Sequence, residues 1–373
     1  MAKISIVLHD LRGGGAEKMM VRLANQLAEN GDSVEMILLT AGGVNKPFLS
    51  KSVTLVELNS KRTLSAFSPL RKHLKASQPD GILAALTHVN VITSVVCASL
   101  GWLSRLSVSE RNTFSLDRKV NKGLVMKATY AIAPFIYRFI PNPVIAVSKG
   151  VADDLVACSV VRQKDVCSAS NPVITNETLE AAKHQAKHPW LTNKTGKTVV
   201  AVGRLSDQKG FDMLIDAFAT VLKEVDARLV IFGEGELRDE LQRKIEQHNM
   251  AQSVDLAGYT ENPIAEIKQA DLFVLSSRFE GSPNVLVEAM SVGCKVVAFD
   301  CPSGPMETLD GGAVAPLIEY KNVSALAKTI QAELATDNSL ENRNRIIGAV
   351  ERFSAENSAN EYRKLIFANT REK

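Results

Sequence analysis

Glu280 and Glu288 stand eight positions apart in the run FEGSPNVLVEAM, and a basic pair, Arg204 and Lys209, precedes them by about seventy residues. An ionised carboxylate only accepts hydrogen bonds and can take two hydroxyls at once. A guanidinium grips two phosphate oxygens, and an ammonium adds a point charge. Together the four residues describe a pocket for a ligand that carries a diphosphate and free hydroxyls.

The flanking segments must place these side chains. DLFVLSS, Asp271 to Ser277, is an apolar run of parallel-strand character, and Gly281, Ser282 and Pro283 form a turn before a helix that starts near Asn284. Glu280 therefore falls at the carboxyl end of a strand and Glu288 one turn into the next helix. Ligands bind at that end of an open α/β sheet, and the first helical N–H groups, at Asn284, Val285 and Leu286, are expected to point at an anion there. In AVGRLSDQKGFDMLIDAF, Val199 to Gly203 reads as a second buried strand and Phe211 to Val225 as an amphipathic helix, with Arg204 and Lys209 flanking the loop between them. A carboxylate near a helix start also favours the helix dipole for purely structural reasons. The basic pair in the matching topological position favours the functional reading.

Three further groups are weaker. HDLRGGGAEKMM runs from a first strand into a helix beginning near Ala16, and its glycines let backbone approach a phosphate or sugar, but there is no G-x-G-x-x-G and Glu35 lies too far on to make a dinucleotide fingerprint. LSVSERNTF puts Glu110, Arg111 and Asn112 at another strand end. His184 and His188 are four apart in LEAAKHQAKHP with no third ligand in sight, which favours a solvated linker face over a metal site. The five cysteines, 97, 158, 167, 294 and 301, show no CxxC spacing and read as free thiols in a reducing compartment.

At 373 residues the chain suggests two domains, and 45% hydrophobic with 23% charged residues is an ordinary globular composition. Strand–helix alternation runs twice, with strands near 4–8, 34–39, 54–58, 81–86, 106–110 and 144–147, then 199–203, 229–232, 254–256, 272–275 and 296–299. A polar stretch from Asn176 to Lys197 separates the two runs. Residues 1–180 hold 21 Lys+Arg against 14 Asp+Glu, a balance of +7 that leaves −4 for the rest, so an anionic partner is expected for the first half alone.

The Arg-x4-Lys after a Gly-Arg strand end, the GEG turn at Gly233 to Gly235, LAGYT at 256–260 and the Glu-x7-Glu resemble the motifs of the family-four retaining glycosyltransferases. These motifs span about Thr198 to Glu307, and a weaker N-terminal match extends the resemblance to nearly the whole chain. The resemblance implies the GT-B fold: two Rossmann-like doubly wound α/β domains facing across a cleft. An acceptor domain would cover 1–175, a nucleotide-sugar domain 196–353, and a last helix, 354–373, would cross back to the first domain. It implies that Glu288 holds the ribose and Glu280 the donor sugar, with Glu280, Arg204, Lys209 and Glu110 as catalytic candidates. Gly281 and Asn284 to Leu286 would meet the nucleotide sugar, Gly233 and Tyr259 would wall the nucleobase, and Gly14 and Gly15 would approach donor phosphates or acceptor. Arg111, Asn112 and Glu307 would contact acceptor or donor sugar; Arg111 could instead neutralise an acceptor pyrophosphate, or form a surface ion pair with Glu110.

The implied reaction moves a hexosyl or N-acetylhexosaminyl group from a nucleoside-diphosphate sugar, UDP in preference to GDP, to a glycan acceptor carried on polyprenyl diphosphate, in the building of surface polysaccharide such as lipopolysaccharide or capsule. No cofactor is expected, and no metal, since there is no Asp-x-Asp. Same-face attack by the acceptor would retain configuration. A UDP-sugar epimerase of the same fold and a nucleotide-binding, non-catalytic partner in polysaccharide assembly are the rival readings. The first residues, MAKISIVLHD, read as a strand and no apolar run is long enough to span a bilayer, so a cytoplasmic protein is expected. The mixed basic and apolar segment Arg118 to Arg138 predicts peripheral attachment to the anionic inner face of the plasma membrane.

Overall fold

The computed structural model describes residues 1–121 and 123–370; Lys122, and the last three residues of the expected final segment, lie outside the described residues. The chain divides into two compact units, Met1–Pro172 with Phe353–Lys373, and Val173–Arg352.

The first unit carries a seven-stranded, wholly parallel sheet of β1 (Lys3–Leu8), β2 (Ser33–Leu38), β3 (Thr54–Glu57), β4 (Gly81–Ala85), β5 (Leu106–Glu110), β6 (Val144–Ala146) and β7 (Val166–Ser168), in the order β3-β2-β1-β4-β5-β6-β7. Parallel strands are covered on both faces, which is why Ile4, Ile6, Val7 and Leu8 of β1 are all buried. The second unit carries six parallel strands, β8 (Lys197–Val202), β9 (Ala227–Phe232), β10 (Val254–Gly258), β11 (Leu272–Leu275), β12 (Val296–Phe299) and β13 (Leu317–Ile318), in the order β10-β9-β8-β11-β12-β13. Strand order reverses between β1 and β4 in one sheet and between β8 and β11 in the other. Such reversals open a crevice at the carboxyl ends of the strands.

Several details depart from the sequence reading. β7 and β13, of three and two residues, were not expected, and the helix from Phe211 ends at Val221, short of Val225. The stretch 176–197 is no plain linker: it belongs to the second unit and holds helices Asn176–Ala181 and Pro189–Thr192. His188 is not on a solvated face. Its Nδ1 accepts the Trp190 N–H at 3.2 Å, capping the second of those helices, and its ring, 9% exposed, lies 2.9 Å from Asp255. His184 is exposed.

The final helix, Ala355–Ile366, buries Ala359, Tyr362 and Ile366 in the same core as Ile4, Met20 and Leu83, and Arg363 Nε meets Asp32 at 2.6 Å. The helix Leu124–Tyr137 buries Tyr130, Ala133, Pro134 and Tyr137, yet Leu124 (85% exposed), Val125, Ile132, Phe135 (58%) and the following Phe139 (75%) face outward. A helix apolar on both sides is ordinarily buried on both. Among the described residues no helix is long and apolar enough to cross a membrane.

Candidate active site

The reversal in the second sheet gathers the basic pair and the first carboxylate. Arg204 follows β8, and a short turn, Asp207–Lys209, leads to Gly210 and the helix Phe211–Val221. Gly210 has φ +61°, and a Cβ there would collide with the Ser276 carbonyl oxygen. The loop is thereby locked against the end of β11, where the Ser276 hydroxyl donates to the Lys209 carbonyl at 2.9 Å. Arg278 clamps the same loop. Its guanidinium forks onto Asp212 at 2.8 and 2.7 Å and donates to the Asp207 carbonyl at 2.8 Å.

Lys209 Nζ lies 2.6 Å from Glu280 Oε1, which also accepts from the Ser277 hydroxyl at 2.6 Å. Glu280 is only 5% exposed, while Arg204 is exposed and its guanidinium forms no hydrogen bond or ion pair among the described residues. The site thus holds one internally matched pair and one guanidinium open to a ligand. Gly233 (φ +144°) admits no Cβ because the Gly203 carbonyl stands in its place, so the GEG turn packs directly beneath the Arg204 loop, with Leu205 N–H donating to the Glu234 carbonyl at 3.0 Å.

Gly281 lies in the turn before the helix Asn284–Ser291, and Glu288 is buried on that helix. Its first N–H groups are not all available. Asn284 N–H donates to Ser282 at 2.9 Å and Leu286 N–H to Pro283 at 2.9 Å, because the turn closes tightly; Val285 N–H has no backbone acceptor among the described residues. Tyr259 follows β10 at the sheet edge, two strands from β8, with its side chain 77% exposed. Glu307 sits on the short helix Pro305–Thr308, with Arg352 Nη1 at 3.7 Å.

In the first unit Gly14 is the N-cap residue of the helix Gly15–Glu29, in extended conformation and without a side-chain cap. The Glu17 carboxyl lies against it, and burial raises the pKa of that carboxyl above its ordinary value. Glu110 and Arg111 do not form a surface ion pair. β5 ends at Glu110, and the alternation of the strand carries over to the next residue: Glu110 meets Thr87 (2.9 Å), Asn90 (3.2 Å) and Tyr137, while Arg111, also buried, meets Tyr362 (2.6 Å) and Asn171. Full burial pushes Glu110 up to about 7 against partial compensation by the Tyr137, Thr87 and Asn90 hydrogen bonds. Asn112 reaches Asp117 at 3.2 Å.

Sequence reasoning missed Arg278 and Ser277, which position the Lys209–Glu280 pair, and also His9 and His88, which stand at the other reversal. Each lies within three residues of the carboxyl end of a strand, a placement legible once strand order is known. The cysteines are unpaired, and burial pushes the Cys97, Cys294 and Cys301 thiols up to about 12. Among the described residues no cluster of three His, Cys, Asp or Glu could hold a metal ion.

The profile of glycosyl transferases group 1 matches residues 182–352, and that of glycosyltransferase family 4 matches residues 13–177. Both halves of the chain thus match glycosyltransferase profiles, and the chain is a glycosyltransferase. Similarity over nearly the full length of this glycosyltransferase is found with the N-acetylgalactosamine-N,N'-diacetylbacillosaminyl-diphospho-undecaprenol 4-alpha-N-acetylgalactosaminyltransferase of Campylobacter jejuni, 28% identical and covering 90% of this chain and 91% of that one. An uncharacterized glycosyltransferase of Methanocaldococcus jannaschii is 40% identical, over only 30% of this chain and 27% of its own length. Among solved structures, Anabaena HepE in complex with UDP and glucose superimposes with a TM-score of 0.78 at 19% identity, covering 99% of this chain and 100% of that one. The fold is therefore GT-B, as its structural neighbours have it.

Proposed function

We propose that this glycosyltransferase moves a hexosyl or N-acetylhexosaminyl group from a UDP-sugar, with retention of configuration, to a glycan carried on polyprenyl diphosphate. The observation that carries the reading is the reversal between β8 and β11, where Lys209 is fixed on Glu280 and the Arg204 guanidinium, on the same loop, has no partner among the described residues. As the sugar–phosphate bond breaks, negative charge grows on the leaving diphosphate. Donors near that charge lower the barrier, and Lys209, held in place by Glu280, has the chemistry for it together with the open Arg204 guanidinium and the Val285 N–H. Glu280 would accept from the donor sugar's hydroxyls and Glu288 from the ribose. The choice of UDP rests on neighbours crystallised with it, and the choice of acceptor on the Campylobacter relative.

The acceptor's lipid places the reaction at a membrane surface. The outward apolar residues of the helix Leu124–Tyr137, flanked by Lys119, Lys127 and Arg138, fit an anionic bilayer interface on the cytoplasmic side. Incubation with UDP- and GDP-sugars and a short polyprenyl-diphosphate N-acetylhexosamine tests the proposal. An α-linked product from an α-linked UDP-sugar is the expected result. A product of inverted configuration, or an epimerised UDP-sugar formed without acceptor, would replace this reading.

A further inference from the structure

A second concentration of charge stands at the other end of the second sheet. Strands β8, β11 and β12 begin there, opposite the carboxyl ends that hold Arg204, Lys209 and Glu280. Beside those starts is a cavity of about 450 Å³. Five cations line it, Lys194, Lys197, Lys268, Lys295 and Arg343, against two carboxylates, Asp271 and Asp337. Glu333 adds a third carboxylate, 3.8 Å from Lys295, and the group still carries +2. The unit around it is acidic: residues 173–352 hold 19 Lys+Arg against 26 Asp+Glu, a balance of −7. A positive hollow in a negative unit is a local arrangement of charge and not an average of composition.

Cations near helix C-termini ordinarily complement the helix dipole, and part of the cluster does this. Lys295, buried just before β12, donates to the Glu333 carbonyl and, at 2.6 Å, to the Thr336 carbonyl, closing the helix Val323–Ala335. Lys268, in the last turn of the helix Pro263–Gln269, donates to the Ala182 carbonyl at 3.0 Å. Carbonyl oxygens satisfy these donors and leave the charge uncancelled. Of the five cations, Lys194 has the closest carboxylate, Asp271 at 3.1 Å, which also accepts the Thr198 N–H at 2.8 Å. Lys197 stands 3.9 Å from a fully exposed Asp337, a contact of the weak, solvent-screened kind. The Arg343 Nε meets the Asn338 carbonyl at 3.2 Å, and its two terminal nitrogens have no partner among the described residues. Burial lowers the Lys295 pKa; Glu333 opposes that shift and the Lys197 ammonium adds to it, so the two ammonium groups repel.

An anion relieves that repulsion. Ammonium groups hold phosphate as point charges and need no fixed fork geometry. A cavity of about 450 Å³ falls within the range of small-molecule sites, roughly 300–1,000 Å³. It is many times the share of one water, roughly 30 Å³, and so holds more than a bare phosphate. Val292 and Leu334 give it an apolar side. We propose that this cavity binds an organic phosphate of sugar-phosphate size through Lys197, Lys268 and Arg343, at a site separate from the Lys209–Glu280 pair.

The test uses the full chain and calorimetric titration at low ionic strength with four probes: inorganic phosphate, glucose 6-phosphate, fructose 1,6-bisphosphate and 3-phosphoglycerate. At least one organic phosphate should bind saturably, at one site per chain, and more tightly than inorganic phosphate. Lys197→Gln with Lys268→Gln should weaken that binding at least tenfold, since each removes a charged hydrogen-bond donor. Arg204→Ala, at the opposite end of the sheet, should leave it unchanged. Melting curves of these variants should match the parent's; were the lysine variant unstable, Arg343→Gln reads the same contact from the helix Leu340–Gly348. Three organic phosphates without binding, or none bound more tightly than inorganic phosphate, overturn the assignment. Binding that survives loss of the cavity cations, or that disappears in Arg204→Ala, puts the ligand elsewhere and overturns it as well.

Discussion

Replacing Lys209 by methionine keeps the length of the stem and deletes a charge that sits 2.6 Å from a carboxylate only 6% exposed at its side chain. Leaving one member of a buried pair alone costs about 3–5 kcal/mol. Because the Lys209 side chain is 18% exposed and Ser277 still donates to Glu280, the lower end, about 3 kcal/mol, is expected. Glu280→Gln in the same chain removes the stranded charge, so the double variant should recover about 2 kcal/mol of that loss, a coupling of the size seen for residues in contact. Transfer should not recover: losing one donor to the developing diphosphate costs about 10²- to 10³-fold in turnover in single and double variants alike. Trp190 reports on the second unit, and Trp102→Phe silences the other tryptophan, so urea unfolding followed by fluorescence reads the correct unit. Lys209→Met as stable as the parent, or a double variant no more stable than the single, would refute the view that this pair holds the site together.

Activity should survive EDTA, since fixed positive groups can take a cation's role; loss on chelation with rescue by magnesium or manganese would show otherwise. Glu110 holds its proton up to about 7 in the folded chain against an ordinary 4.5, so the folded state binds the extra proton and stability falls as pH rises through that window, by about 3 kcal/mol in all. Glu110→Gln should flatten that slope in melting curves recorded from pH 5 to 8, and an unchanged slope would remove the assignment. Vesicles with anionic lipid should bind the protein. Phe135→Ser with Phe139→Ser should weaken that binding at least tenfold, since each buried phenylalanine contributes about 1.5–3 kcal/mol, and equal partitioning of variant and parent would make the helix face an ordinary surface. Gly210→Ala, forced into φ +61° and against Ser276, should lower the melting temperature and the turnover together.

What the sequence made legible follows from physical signal strength. β11 and β12 are apolar runs bounded by polar residues, and they lie where the pattern puts them, at Leu272–Leu275 and Val296–Phe299. β7 and β13 have two or three residues each, too few for a periodicity to emerge, and exist because a neighbouring strand offers its edge. Near the candidate site, residue type and spacing indicated Lys209 and Glu280, but nothing in the spacing could tell that they pair with each other. The Glu110–Arg111 dipeptide shows the limit well: adjacent opposite charges suggest an ion pair, while the strand's alternation sends them to opposite sides. His9 and His88 are seventy-nine positions apart in sequence and meet only because β1 and β4 are neighbours.

The final helix, whose Tyr362 and Ile366 fill the core of the first unit, also fixes an order of events during synthesis. The second unit, Val173–Arg352, is one continuous segment and can fold once it has left the ribosome. The first unit begins earlier and finishes later, since residues 353–366 reach its core only after the whole intervening segment has been made. At about 5–20 residues per second that delay is on the order of 10–40 s. Throughout it, the apolar side chains of Ile4, Met20 and Leu83 lack part of their cover, and a nascent chain is most exposed to chaperones, and to proteolysis, at the surface it will later hide most completely.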